Sequence, residues 1–213
     1  MKNILIIFAS ILALSTNACA SSGLPTSYEV MISSDFTPDE IHALEGGISS
    51  WEQLGLYAPS FYFEIVSPFS LPQESEVGWS TIVIHKASVP WIRANGGVGD
   101  AIAITHTSAE LCNEEDDSFN LNHSEIGASI YAPGFDSLSQ FKTYGYTEAA
   151  MLFGIGAHES GHAMGLRHEL NPGQLIMNPR LNEFPTDNKP TCGDLQQYCN
   201  IRHDYQCTCN PIQ

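Results

Sequence analysis

The sequence predicts an α+β domain built on a mixed, mainly parallel five-stranded sheet, and three observations predict it. Five short runs rich in β-branched and aromatic residues lie between Ser27 and Ala132. One amphipathic helix separates the first run from the second, and two further helices follow the last. That order, strands interrupted once and helices late, suits helices gathered on one face of a sheet.

Residues 27–34 form the first expected strand. Thr37-Pro38-Asp39-Glu40 then opens a helix: Thr37 can cap, Pro38 suits the first helical position and Glu40 completes a capping box. Ile41, Leu44, Ile48, Trp51 and Leu54 follow at helical spacing and give one apolar, core-facing stripe. Phe61 to Val66, Thr81 to Ala87, Ala101 to Thr107 and Ala128 to Ala132 are the remaining strands, bounded by Pro, Gly or Asn. Asn95-Gly96-Gly97 marks a loop. A long helix is expected from Thr147 to about Met164, and a short one from near Thr191 to about Cys199. Gly154 and Gly156 inside the long helix cost about 1 kcal/mol each relative to Ala, and close packing of that helix on the sheet would explain them. Residues 27–200 are expected to make one compact unit, with 201–213 a cysteine-containing tail.

The chain of 213 residues carries 8 Lys plus Arg against 24 Asp plus Glu, a formal charge of −16. Such a surface repels phosphate backbones and anionic membranes, which excludes nucleic acid as a partner. Its acidity serves solubility, or else a preference for basic substrates or calcium. The acidic run Glu114-Glu115-Asp116-Asp117, with Asn120 and Asn122 nearby, offers oxygen ligands of the kind calcium takes, although it matches no EF-hand loop and a solvated acidic turn is the favoured reading.

Residues 1–20 have the layout of a secretory signal. Lys2 is followed by the apolar run Ile4 to Leu14 and then by small residues ending Ala18-Cys19-Ala20. Release before Ser21 fits the small-x-small rule. Alternatively, Cys19 resembles the lipid-modified cysteine of bacterial lipoproteins, with Ser21-Ser22-Gly23 as a tether, although Thr16 stands where those signals carry Leu. Either route places the chain outside the cytoplasm, secreted or lipid-anchored, where disulfides persist. Beyond Cys19, the cysteines are Cys112, Cys192, Cys199, Cys207 and Cys209, an odd number concentrated at the C-terminus. Stapling of the tail to the body is expected, with the connectivity open.

The chemistry concentrates in Ala157-His158-Glu159-Ser160-Gly161-His162-Ala163-Met164-Gly165-Leu166-Arg167-His168. His158 and His162, four apart on a helix, project from one face and can share one metal ion. Glu159 lies one step round, placed to act on water beside the metal rather than to ligate it. Gly165 can take positive φ, end the helix and let the chain return His168 to the same ion. Three imidazoles and one exchangeable position make a catalytic rather than a structural zinc site. The competing reading, a solvated helix face with incidental histidines, requires the whole spacing to be accidental. His42, His85, His106, His123 and His203 have no such spacing and read as ordinary surface or core residues.

This segment resembles the metzincin motif H-E-x-x-H-x-x-G-x-x-H at all five fixed positions, and Met177, nine residues past His168, resembles the Met-turn that underlies the metal in that clan. Glu169 is what astacins carry, but Pro179 replaces the tyrosine that astacins and serralysins place two residues after the Met. Met177-Asn178-Pro179 and Asp194 are closer to bacterial matrixin-like peptidases. The resemblance implies a metzincin-like sheet with an active-site helix, a Met-turn and a short C-terminal helix. It implies zinc on His158, His162 and His168, Glu159 as general base, and secreted endopeptidase activity on a protein or peptide by a monomer. It also implies that the strand at Ala101 to Thr107 is an antiparallel edge strand that pairs with extended substrate, and that residues near Pro179-Arg180-Leu181 line a pocket. The second zinc of many matrixins needs a His-x-Asp pattern that His85-Lys86-Ala87 does not supply, so one zinc is expected. Two other functions share these residues: a zinc-binding module of the same fold without activity, and a zinc hydrolase acting on a non-protein amide.

Overall fold

The structure is a computed structural model that describes residues 9–11, 26–55, 58–78, 80–97, 99–108, 127–144, 146–168, 176–178 and 189–201. The acidic run at 114–117 with Asn120 and Asn122, residues 179–181, His123, His203 and the tail cysteines lie outside these. Among the described residues no helix is long and apolar enough to cross a membrane.

The architecture is α+β. Strands β2 (Ser27–Ser33), β3 (Ser60–Val66), β4 (Thr81–Lys86), β5 (Ile104–Ser108) and β6 (Gly127–Ala132) form a mixed sheet. β1 (Ala9–Ile11) adds a sixth strand at one edge, giving the order β1-β5-β6-β4-β2-β3. β2 is parallel to both β3 and β4, and β4 is parallel to β6. β5 reverses direction, antiparallel to β6 with Ile104 opposite Tyr131 and Thr105 opposite Ile130. β1 runs parallel to β5, pairing Ala9 to Ile11 with Ile104 to His106. Part of the apolar run expected to be a leader outside the fold therefore occupies the edge that β5 was expected to leave free.

Helix α1 (Pro38–Ser49) begins as its sequence dictates. The Thr37 hydroxyl accepts from Glu40 N at 3.4 Å, and Glu40 Oε2 accepts from Thr37 N at 2.7 Å. Leu44, Ile48 and Trp51 are wholly buried, each apolar side chain contributing about 1.5–3 kcal/mol by leaving water. The stripe continues past α1 through a 3₁₀ turn at Ser50–Leu54, which carries Trp51. Two short helices escaped the sequence reading, α2 (Val89–Ala94) and α3 (Phe135–Leu138), because neither completes enough turns to show a period. α2 is nonetheless capped by Ser88, whose hydroxyl accepts from Trp91 N at 3.3 Å. β5 starts at Ile104 rather than Ala101; the Ala101 carbonyl accepts from Arg93 Nε at 3.1 Å in place of a ladder partner.

The long helix α4 (Glu148–Ala163) packs on the inner faces of β5 and β6 and against α1. A side chain at Gly47 would collide with the Phe153 carbonyl, and a Cβ on Gly156 would lie 2.8 Å from the Leu44 carbonyl oxygen. The two helices therefore meet backbone to backbone. Gly156 exists for α1 and not, as the sequence suggested, for the sheet. Helix α5 (Cys192–Ile201) closes the described chain. Cys192 and Cys199 on it are both disulfide-bonded. Seven residues of helix separate them by about 10 Å, too far for them to bond each other.

Glu40 does more than cap. Its carboxylate also takes Lys86 Nζ at 2.9 Å and Phe135 N at 2.6 Å, tying α1 to β4 and to the start of α3. Burial pushes its pKa up, but these donors together outweigh burial and hold it below 4.5. A depressed folded value means that Glu40 stabilises the fold above its unfolded pKa and that this stabilisation disappears as pH falls through the folded one. The urea midpoint of Glu40→Gln should therefore lie furthest below wild type near neutrality, and the gap should close as pH falls below 4.5. A gap independent of pH would show that the carboxylate's charge is not what Lys86 and the backbone donors hold.

Candidate metal centre

α4 ends where the sequence places the stop. Thr147 caps its start, accepting from Ala150 N at 3.1 Å. At the far end Gly165 has φ of 91°, with Gly165 N bonded to His162 O and Leu166 N to Gly161 O, both at 2.9 Å. This pair of bonds is the Schellman arrangement, which satisfies the last carbonyls and turns the chain back on itself. The turn brings His168 up beside the two helical histidines.

The Nε2 atoms of His158, His162 and His168 converge. They stand 3.0 Å apart for His158 and His162, 3.1 Å for His162 and His168, and 3.3 Å for His158 and His168. Among the described residues this is the trio whose ligand atoms lie within 4.8 Å of one another. Nitrogens bound at roughly 2.0–2.1 Å around a tetrahedral zinc stand about 3.3 Å apart, close to what is observed.

The tautomers support the same fit. His158 Nδ1 donates to the Ile176 carbonyl at 2.6 Å, and His162 Nδ1 donates to the Leu166 carbonyl at 2.8 Å. With Nδ1 protonated, each Nε2 presents its lone pair to the common point. Burial pushes both imidazoles down, His158 well below 6.5 and His162 to about 3, and neighbouring imidazoles add to it, His162 and His168 acting on His158 and His168 on His162. His168 is lowered by burial as well. Neutral imidazoles are the form that binds a cation, and lone pairs facing one another at this range repel unless a cation lies between them.

Two layers of structure hold these rings. Asp194, near the start of α5, is fully buried and accepts from Ile176 N at 3.2 Å and Met177 N at 3.3 Å, and from Thr191 N and Oγ1 at 2.7 and 2.8 Å. Burial raises its pKa, against the pull of these donors. Asp194 thus fixes the backbone whose Ile176 carbonyl aims His158. Met177 is wholly buried beneath the last turn of α4. A Cβ at Gly161 would strike its sulfur and would lie 3.1 Å from the Trp51 ring, so Gly161 is glycine because the thioether sits there. Trp51 Nε1 also donates to the Ala157 carbonyl at 2.9 Å, one residue before the first histidine.

Glu159 is wholly buried on the sheet side of α4. Its Oε2 accepts from the Thr105 hydroxyl of β5 at 2.5 Å, while Oε1 is buried with no hydrogen-bond partner. Burial raises its pKa to about 8, offset only in part by Thr105. An orphaned carboxylate oxygen on the residue next to His158, with three lone pairs converging from the same segment, fits a site whose remaining occupants are a cation and its water.

The other histidines gather elsewhere. His42 is exposed on α1. His85 and His106 lie on the opposite face of the sheet, flanking Tyr131 with ring centroids 4.8 and 5.4 Å away. Glu74 bonds His106 Nδ1 at 2.8 Å and the Tyr131 hydroxyl at 2.6 Å. The sequence named every member of the trio and Glu159, but not Thr105 or the bond from Trp51. Alternation along β5 puts Thr105 on the apolar inner face, and a polar residue there is a signal that a buried partner awaits it. Comparison with protein-family models and with curated proteins returns no match for this chain.

If Asp194 aims His158 through Ile176, then Asp194→Ala should weaken metal binding about 10- to 100-fold, the usual cost of losing an outer-shell orienter. Competition against a chromophoric zinc chelator measures it. Unchanged affinity in a folded variant would show that the Ile176 carbonyl keeps its place without the carboxylate.

Proposed function

We propose that this chain is a zinc-dependent endopeptidase of the metzincin kind, nearest to matrixins, secreted or lipid-anchored at the cell surface. The observation that carries this reading is the convergence of the His158, His162 and His168 Nε2 atoms, with the buried Glu159, one oxygen unpaired, next to His158 on the same helix. Zinc held by those nitrogens would polarise a scissile carbonyl and make water a competent nucleophile near neutral pH. A cation beside Glu159 would offset the burial that otherwise keeps it protonated up to about pH 8, so that it serves as the base: Oε1 takes a proton from water as its oxygen adds to the carbonyl carbon, and gives that proton to the amine as the C–N bond breaks. The neutral imidazoles keep their protons on Nδ1, committed to Ile176 and Leu166, and do not compete for the transferred one.

Substrate would lie along β5. The pairing of Ala9 to Ile11 with Ile104 to His106, an extended segment laid along this edge, supports that reading. Those three residues fall inside the segment that signal cleavage would remove, so the mature edge would be open to a peptide. The Met177-Asn178-Pro179 sequence and Asp194 resemble matrixins, which supports that branch over astacins.

Glu159→Ala should retain one equivalent of zinc and lose casein cleavage by more than about 100-fold, the usual weight of a general base. A zinc chelator should silence the wild type, and added zinc should restore it. Wild-type cleavage by Glu159→Ala would remove Glu159 from its role. Zinc binding without cleavage by the wild type would favour the inactive module, and clearing of a peptidoglycan zymogram instead of a protein one would favour the non-protein amide.

A further inference from the structure

Thr105 stands apart from its neighbours on the inner face of the sheet. It is nearly wholly buried, opposite Ile130 in β6, on a surface that is mostly apolar and packed under α4. Its hydroxyl lies 2.5 Å from Glu159 Oε2 and 3.2 Å from the Glu159 carbonyl oxygen. A hydroxyl has one proton, and the shorter contact to the carboxylate takes it. Packing alone does not call for that hydroxyl, since valine has the same branched outline. A buried hydroxyl without a partner is costly, so its presence here points to the bond it makes.

The consequence falls on the carboxylate. Glu159 is long enough to adopt several rotamers, and its two oxygens are chemically equivalent in isolation. The bond to Thr105 makes them different: Oε2 is anchored to β5, and Oε1 is the one left unpartnered. The anchor comes from the very strand along which the proposed substrate lies, so the base and the substrate backbone share one reference frame. The geometry points to Thr105 as a positioning residue that fixes the Glu159 carboxylate against β5 and thereby selects Oε1 as the oxygen that handles the proton. This rests on the reading of Glu159 as the base.

The test compares Thr105→Val and Thr105→Ser with wild type and Glu159→Ala, in the full zinc-loaded protein, using fluorescein-labelled casein as the probe. Thr105→Val should lower kcat about 10- to 100-fold, as small misplacements of reacting groups do, with KM within about twofold. Zinc content and melting temperature should stay at wild-type values. Thr105→Ser, which keeps the donor, should stay within about threefold of wild-type kcat. A Thr105→Val enzyme with wild-type kcat, or a serine variant as impaired as the valine one, would overturn the proposal. Crystal structures of wild type and Thr105→Val give a second readout that needs no activity. The Glu159 carboxylate should sit within hydrogen-bond distance of Thr105 in the first and leave that position in the second. A carboxylate that stays put without the hydroxyl overturns the assignment. If wild type and Glu159→Ala are equally inert on casein, the peptidase reading has failed, and the two crystal structures alone decide the role of Thr105.

Discussion

Two hydrogen bonds from imidazole to backbone, His158 Nδ1 to Ile176 O and His162 Nδ1 to Leu166 O, decide what this domain can do. They choose the tautomer of each ring and so the direction of each remaining lone pair. The two acceptors come from different places. Leu166 is the residue at which the chain escapes the helix after Gly165, so one bond is a by-product of the helix stop itself. Ile176 belongs to a distant turn and is placed by Asp194. The centre is therefore half local and half dependent on the C-terminal helix docking correctly.

That division explains what could be read from the sequence. The His158, His162, Gly165 and His168 pattern is set by the pitch of a helix and by the freedom of glycine at positive φ, both local properties, and the helix bounds and the turn followed. The strands between Ser27 and Ala132 were legible for the same reason, as alternation and turn residues are short-range signals. Glu40 marks the limit. Its cap lies three residues away and was visible, whereas Lys86 and Phe135, 46 and 95 residues off, were not. Thr105 reaches Glu159 across 54 residues, and its place on an apolar strand face signals that a partner exists but not which one. β1 was missed because an apolar run with a positive start describes a leader and a strand equally well until its pairing with β5 is seen.

The sheet itself is used asymmetrically. Its inner face carries mostly apolar residues, with Thr105 among them, while its outer face carries His85, His106 and Tyr131 under Glu74. Burial lowers His85 despite Glu74, which pulls the other way. The imidazoles of the outer layer thus serve aromatic stacking and a shared carboxylate, in contrast to the inner trio, whose rings are oriented by backbone carbonyls towards one point. Histidine identity alone did not separate the two groups; spacing along one helix did.

The contact between α1 and α4 through Gly47 and Gly156 has a consequence for how such a domain can diverge. Most helix pairs touch through side chains, and drift at one position is absorbed by repacking at another. Here main chain meets main chain, so no intervening layer exists to be retuned. The pair makes one beam, with the three converging histidines at one end. Strand surfaces, loops and charge can be rewritten generation after generation while that beam, and the geometry it carries, stays insulated from the change.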